Sequence, residues 1–475
     1  MPAEFLLLVV LLGGCWSAPG EIEEPLSDVD PATLPMQYPD CNLVFISIDA
    51  LQAAHVSGLG YERPTTPTLD ALAQRSFSFS NQISVASWTV PASMTWFTGV
   101  YPCEHRLTNK FSVYQPPVQM SANLKELSPG LLTLAQVLKQ QGYATVGFTG
   151  NAGVSSNFGY QQGFDEYVHD QGKFGSFAQS VPRAIAWLKA NRDRKFFLFL
   201  HGYDVHGQCL PEGGYDYRFV DAAYDKKYRG SMTEQEMLRE EGLARGRLEL
   251  RQADIDFWRA IYDEKIARAD AQLESFLQAL KQLDLMQNTL LVVTSDHGTE
   301  LFEHGRIDHG FTLYNELLRV PLVLHLPGQN SGKMIADRVS SIDLMPTLLD
   351  LLQVPLPEKL QPLRGTTLVP ALQGEKQQRP VFAETDYREY TYQRSIITPS
   401  GWKLIYILEN DHRELYDLNS DPNEVQNLAT VHAGRADELQ AELFDHFRSL
   451  GHDLRMQRWE TGLNPVYDSQ ARPKQ

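Results

Sequence analysis

Two short apolar runs in this chain end on acids. One is Asn42-Leu-Val-Phe-Ile-Ser-Ile-Asp49; the other is Thr289-Leu-Leu-Val-Val-Thr-Ser-Asp296-His297-Gly298. Carboxylate oxygens with one imidazole are a donor set for a hard or borderline divalent cation such as Mn²⁺, Zn²⁺, Mg²⁺ or Ca²⁺. Asp49 alone would read equally well as a helix cap or an ion-pair partner. Two acids, each at the end of an apolar run, suggest one metal site assembled from distant parts of the chain. A third segment, Ala86-Ser-Trp-Thr-Val-Pro91-Ala-Ser-Met-Thr-Trp-Phe-Thr-Gly99, adds a hydroxyl. Pro91 suits the first turn of a helix and Gly99 its end. Thr89 then lies just before a helix N-terminus, where the dipole and free N–H groups favour anions.

The elements that must position these groups follow from hydrophobic pattern. Continuous apolar runs of this length read as parallel strands buried on both faces, and ligands gather at the carboxyl ends of such strands. Helices are expected to begin near Thr68 and to cover 131–141, 177–190 and 341–352, with strands at 144–148, 196–200 and 320–324. Tyr262, Ile266, Ala269, Leu273, Leu277 and Leu280 recur at three- and four-residue steps and mark a long amphipathic helix. This alternation gives an α/β fold with a mostly parallel central sheet flanked by helices. The charged stretch 226–254 reads as a helical surface insertion with a solvated face. From about Pro380 short strand-like runs and a helix over 435–450 give a small antiparallel sheet-plus-helix subdomain.

Composition bounds the function. The chain has 475 residues, 43% hydrophobic and 21% charged, enough for one large domain and a smaller one. A formal net charge of −17 argues against a nucleic-acid partner. It leaves room for an anionic substrate, because a metal and local cations reverse the field inside one pocket. Residues 1–15 read as an export signal: Phe5 to Leu12 are apolar, and Leu12-Gly-Gly-Cys15 resembles a lipoprotein signal in which the cysteine is lipidated. Met1 to Glu4 carry no basic residue, and a signal peptide cut near Ala18 is the alternative. Residues 16–40 then form an acidic tether, 41–379 the main domain, 380–455 the subdomain and 456–475 a polar tail. Export would place the protein in the periplasm or cell envelope, held to the membrane if Cys15 is lipidated. It would also permit a disulfide among Cys41, Cys103 and Cys209.

Six segments carry a family resemblance. Ile46-Ser-Ile-Asp49-Ala-Leu, Ser87-Trp-Thr-Val-Pro91 with Thr98-Gly99-Val-Tyr-Pro102, and Leu200-His-Gly-Tyr-Asp204-Val-His206 are the first three. Thr294-Ser-Asp296-His297-Gly298, His309-Gly-Phe-Thr-Leu-Tyr314 with Arg319-Val-Pro321, and Glu414-Leu-Tyr-Asp417 with Asp421-Pro422 follow. In this order they resemble the sulfatase family of the alkaline phosphatase superfamily, from about Asn42 to Leu450.

The resemblance implies an alkaline-phosphatase/sulfatase-like fold with a nucleophile over a metal. Most sulfatases make that nucleophile, a formylglycine, from Cys or Ser in a Cys/Ser-x-Pro-x-Arg motif. Here Thr89 holds the Cys/Ser position and Ser93 the arginine's. The expected nucleophile is therefore Thr89 Oγ itself, as in the lipoteichoic-acid-synthase and phosphoethanolamine-transferase branches. The family places a second acid after the first strand; Ala50 stands there, which favours one divalent cation (Ca, Mn, Zn or Mg) held by Asp49, Thr89, Asp296 and His297. His206 and His309 match positions that contact the substrate oxygens or the leaving group, and either could act as general acid. His201, Glu300 and His304 are weaker candidates with supporting roles, and Asn151 and Lys110 could touch the anion. The implied function is metal-dependent hydrolysis of sulfate or phosphate esters of a glycan, lipid headgroup or small molecule. The alternatives are a phospho-headgroup transferase of the same superfamily and a catalytically inactive homologue that binds anionic glycans.

Overall fold

The computed structural model describes residues 31–455 apart from 109–113, 116–117, 120–126, 129, 171–173, 212 and 388–390. The signal segment with Cys15, most of the tether, Lys110 and the tail lie outside the described residues.

The apolar run that ends at Asp49 is β1 (Asn42–Ile48), and every residue of it is buried. It lies inside an eight-stranded sheet with β2 (Phe77–Ile83), β3 (Ala144–Thr149), β4 (Glu166–His169), β5 (Phe196–Gly202), β6 (Thr289–Thr294), β7 (Arg319–His325) and β8 (Lys333–Ser340). The spatial order is β8-β2-β7-β6-β1-β5-β3-β4. β1 pairs in parallel with both β5 and β6, while β7 runs antiparallel to β6 and β2. The sheet is thus mixed but mostly parallel, as the sequence pattern predicts.

Alternation within β1 explains the uninterrupted apolar run. Leu43 and Phe45 face a layer formed by α2 (Thr89–Thr98), α3 (Leu134–Gln140) and α7 (Leu344–Leu351). Val44, Ile46 and Ile48 face the opposite layer of α1 (Pro67–Ala73), α4 (Phe177–Asn191) and the 31-residue α6 (Gln252–Gln282). A strand covered on both faces has no solvent side on which a polar residue could sit. The acids come only where the strand emerges.

The charged insertion contains α5 (Met232–Arg245), capped by Ser231 accepting from the Glu234 amide. It has a solvated face, with Thr233, Glu236, Met237, Glu240 and Glu241 exposed, and a second face on which Gln235, Leu238 and Arg239 are buried. A two-stranded ribbon, Glu300–Leu301 with Ile307–Asp308, lies beside α5 and α6.

The C-terminal subdomain is the meander β9 (Val381–Tyr387), β10 (Thr391–Ile397), β11 (Trp402–Ile407) and β12 (His412–Asp417) with α8 (Ala433–Ser449). Ile396, Leu404 and Leu415 pack with Leu439, Leu443 and Phe447 of α8. Val381, Ile397 and Ile405 lie on Ile83, Leu313 and Leu318 of the main domain. Among the described residues Cys41, Cys103 and Cys209 form no disulfide with one another. Among the described residues no helix is long and apolar enough to cross a membrane.

Candidate active site

The parallel pairing of β1 with β5 and β6 brings three strand ends together: Ser47 aligns with His201 on one side and with Thr294 on the other. Asp49 follows β1, Asp296 follows β6 and His201 is the penultimate residue of β5. Ala50 turns the chain at φ +60°. That turn aims its N–H at Asp296 Oδ1 (3.2 Å), which also accepts from the His297 N–H (3.0 Å). Asp296 Oδ2 and Asp49 Oδ1 are buried without a hydrogen-bond partner.

Thr89 is the first residue of α2, one position further into the helix than the sequence suggests. Its Oγ1 donates toward Asp49 Oδ2 at 3.2 Å and lies 3.2 Å from His297 Nε2. His297 Nδ1 donates to its neighbour's carbonyl, Gly298 O, at 2.7 Å, which leaves the Nε2 lone pair facing the hydroxyl. The threonine methyl has its own fixed contact. A Cβ on Gly153 would come within 2.8 Å of Thr89 Cγ2, so only glycine fits opposite it.

Burial and the charge of Asp296 push the Asp49 carboxyl well above its ordinary range. Burial also opposes ionisation of Asp296, but His297, His201 and two backbone N–H groups outweigh it and hold that carboxyl down. Two buried carboxylates this close do not both ionise readily unless a positive charge joins them. Among the described residues no fixed cation pairs with them: burial lowers His201 to about 4 and lowers His297 as well, so both rings are neutral near pH 7. Neither nitrogen of His201 has a hydrogen-bond partner, and its Nε2 lies 3.4 Å from Asp49 Oδ2. One ligand atom each from Asp49, His201 and Asp296 falls within a 4.8 Å cluster. Unsatisfied buried oxygens with lone-pair nitrogens are what a divalent cation requires, so the residues fit the expected metal.

His309 stacks on His297 with ring centroids 4.4 Å apart, and His206 meets His309 edge-on at 4.9 Å. The structure therefore brings all six sequence-predicted residues (Asp49, Thr89, His206, Asp296, His297 and His309) into one locus. His304 lies elsewhere, bonded to Glu316 at 2.5 Å and stacked on Tyr314. Glu300 accepts from the Arg306 N–H, and burial with Glu316 raises it to about 8. Asn151 is exposed just beyond the carboxyl end of β3.

Sequence reasoning missed Asp308 and Arg239 and underrated His201. Asp308 contacts His309 Nδ1, and Arg239 approaches its other oxygen at 3.4 Å. A signal was present for two of these. His201 ends a buried strand as Asp49 does, and Asp308-His309-Gly310 repeats the tripeptide Asp296-His297-Gly298.

The sulfatase family profile matches residues 41–354, and the C-terminal profile of N-sulphoglucosamine sulphohydrolase matches 302–453. The chain belongs to the sulfatase family. Its similarity to the Δ4,5-hexuronate-2-O-sulfatase of Bacteroides thetaiotaomicron is 24% identity over 86% of this chain and 90% of that one. Arylsulfatase K of Canis lupus familiaris is 33% identical, over 36% of this chain and about a third (34%) of its own length. In fold the chain resembles the phosphonate monoester hydrolase of Silicibacter pomeroyi: TM-score 0.67, 20% identity, covering 87% of this chain and 96% of that one. The two family-typical residues absent here, at Ala50 and Ser93, are both wholly buried positions.

Proposed function

We propose that this sulfatase-family protein is a metal-dependent hydrolase of sulfate or phosphate esters, with Thr89 as nucleophile. The observation that carries the reading is the Thr89 hydroxyl, fixed 3.2 Å from both Asp49 Oδ2 and His297 Nε2 beside two unsatisfied carboxylate oxygens. A divalent cation held by Asp49, Asp296, His297 and the Thr89 oxygen would lower the pKa of that hydroxyl and offset charge on the transferring group. His201 stands next to Asp49 as a further neutral donor.

The protein's own groups supply the rest. Thr89 passes its proton along its hydrogen bond to Asp49 Oδ2, and its Oγ1 forms a bond to the phosphorus or sulfur atom as the bond to the ester oxygen breaks. The departing alkoxide needs a proton, and His206 and His309 are the titratable groups clustered beside the nucleophile that can give one. Water then releases the Thr89 ester. The N-terminus of α2 contributes its dipole to the same oxyanion. The substrate is an anionic ester of a glycan, a lipid headgroup or a small molecule. Export, with a membrane tether at Cys15, belongs to the same proposal and is tested by cell fractionation and mass spectrometry of the mature N-terminus.

The decisive assay offers the purified chain paired aryl phosphate monoesters, diesters and sulfate esters with Ca²⁺, Mn²⁺, Zn²⁺ and Mg²⁺ in turn. Turnover of at least one ester, dependent on a divalent cation and absent in Thr89→Ala and Asp296→Ala, is expected. Full turnover by Thr89→Ala would remove the hydroxyl from the mechanism. No turnover and no bound metal would turn the reading toward an anion-binding homologue.

A further inference from the structure

A cleft of about 400 Å³ lies at the seam between the main domain and the C-terminal subdomain, and none of the residues clustered around Thr89 lines it. One wall is the central sheet. Arg338 of β8 pairs across from Asn81 of β2, and Arg319 of β7 pairs across from Ile83 on the other side of the same strand. Asn81 and Ile83 are two residues apart, so the two arginines flank β2 on one face of the sheet. Arg259 of α6 lines the cleft as well.

These guanidiniums have few partners inside the protein. Arg319 Nε donates to the Ser80 carbonyl at 2.9 Å, and Arg338 donates to the Thr398 carbonyl at 2.8 Å. Among the described residues neither has a carboxylate within ion-pair distance, and Arg259 has neither a hydrogen bond nor an ion pair. Their remaining N–H groups are not sealed in the protein and open on the cleft. Burial pushes Arg319 and Arg338 below their ordinary range, and no acid offsets it. Burial acts on Arg394 too, but there Asp386 and Glu384 outweigh it and hold the guanidinium up.

The acids that share the cleft are engaged elsewhere or face solvent. Glu316 is bonded to His304 at 2.5 Å, and Glu303 accepts from the Gln52 side chain at 3.2 Å. Glu62 and Asp256 are exposed. The fourth arginine of the cleft, Arg63, is already paired with Asp263 at 2.6 Å.

We infer that Arg319 and Arg338 form an anion site apart from the catalytic centre, which takes one sulfate, phosphate or carboxylate group. Each planar guanidinium presents parallel N–H groups that match two oxygens of such a group, so a pair on one face holds it from both sides. Arg259 adds charge to the same cleft. The ligand is either a free oxyanion or a charged group on a larger molecule, and both are recognised by the same chemistry. The site is the converse of the strand end, where unpaired carboxylates call for a cation. It depends neither on Thr89 nor on a metal.

The test titrates anion. Full-length protein stripped with chelator is titrated calorimetrically with sodium sulfate, then with phosphate, at constant ionic strength. Without a cation the strand-end carboxylates repel anions, so the catalytic centre is silent. One equivalent of bound anion is expected. Arg319→Gln and Arg338→Gln should each weaken it by about tenfold or more, the loss of a charge-assisted contact. Arg259→Gln breaks no contact inside the protein and should weaken binding by a smaller factor, which serves if the other variants fail to fold. Thr89→Ala should bind as the native protein does, so a failure of the nucleophile reading would appear in turnover alone. A sulfated oligosaccharide separates the two sources. Tighter binding than free sulfate, still lost in Arg338→Gln, supports the site as one for a charged group on a chain; equal or weaker binding supports it as one for the free ion. Native crystals soaked in selenate should show an anomalous peak between the two guanidiniums. No saturable binding, unchanged binding in Arg338→Gln, or selenate only elsewhere overturns the proposal and leaves both arginines as donors to the Ser80 and Thr398 carbonyls.

Discussion

The C-terminal sheet and the carboxyl end of β1 bury ionisable groups equally deeply and treat them in opposite ways. In the sheet, Arg394 is wholly buried with Asp386 at 2.8 Å and Glu384 at 3.5 Å, and buried Lys403 lies 2.7 Å from Glu424. Each of those carboxylates faces a side chain that brings a positive charge with it. At the strand end, Asp49 and Asp296 face one another and two imidazoles that burial keeps neutral. Removing an ion from water costs several kcal/mol unless the opposite charge is close and well aligned. The Arg394–Asp386 pair meets that condition within the chain, whereas Glu384, farther from the same guanidinium, is pushed up to about 7 by burial. Among the described residues the strand-end pair has no such partner, and the proposed cation would supply it.

The contrast can be broken experimentally. The largest effect expected is on chemistry: Thr89→Ala should lower kcat/KM by about 10³-fold or more while the thermal midpoint hardly moves. Next, Arg394→Met should destabilise the fold by about 3–5 kcal/mol in urea denaturation, because it strands buried carboxylates. Turnover per folded molecule should stay unchanged. Asp296→Asn in metal-free protein should cost much less, since it relieves a like-charge contact; a comparable loss there would erase the distinction between the regions. A divalent cation at about 100 times its Kd should then add about 2.7 kcal/mol to the native protein and to Arg394→Met. It should add at least 1 kcal/mol less to Asp296→Asn, read from the same denaturation curves.

The smallest effect concerns the seam between the regions, where His304 lies 3.2 Å from the Glu424 carbonyl. Burial opposes its protonation, but the Glu316 partner prevails and raises His304 to about 9. A folded pKa above the unfolded value of roughly 6.5 gives stability that is lost as pH rises through 9, and burial, which pushes Glu316 up to about 7, bounds the charged pair on the acid side. Thermal midpoints of native protein and His304→Gln should therefore converge across that window. Parallel curves would show that the pair contributes nothing.

Much of this site was legible because its residues sit at the ends of strongly patterned elements. Asp49 and Asp296 close runs that can only be buried strands, and Pro91 with Gly99 frames the helix that begins at Thr89. The direction of β7 was not legible, since an apolar run carries no sign of which way it pairs. Asp308 and Arg239 escaped for a related reason. Asp308 sits in a two-residue ribbon with no periodicity, and Arg239 lies on a helix whose overall charge masks its single buried face. Contacts made by turns and by minority faces depend on tertiary placement, which local pattern does not encode.

Gly153 bears on the nucleophile's freedom of rotation. A hydroxyl on an unbranched side chain can occupy three staggered wells about χ1. Thr89 carries a methyl on the same carbon, and the slot opposite it, with room for a glycine and no larger residue, takes up that methyl. Seating the methyl selects the rotamer and therefore fixes the oxygen. The entropy of orienting the attacking atom is lost once, during folding, and not again in every turnover. Serine at position 89 would keep the reactive oxygen but return it to a rotor with several resting positions.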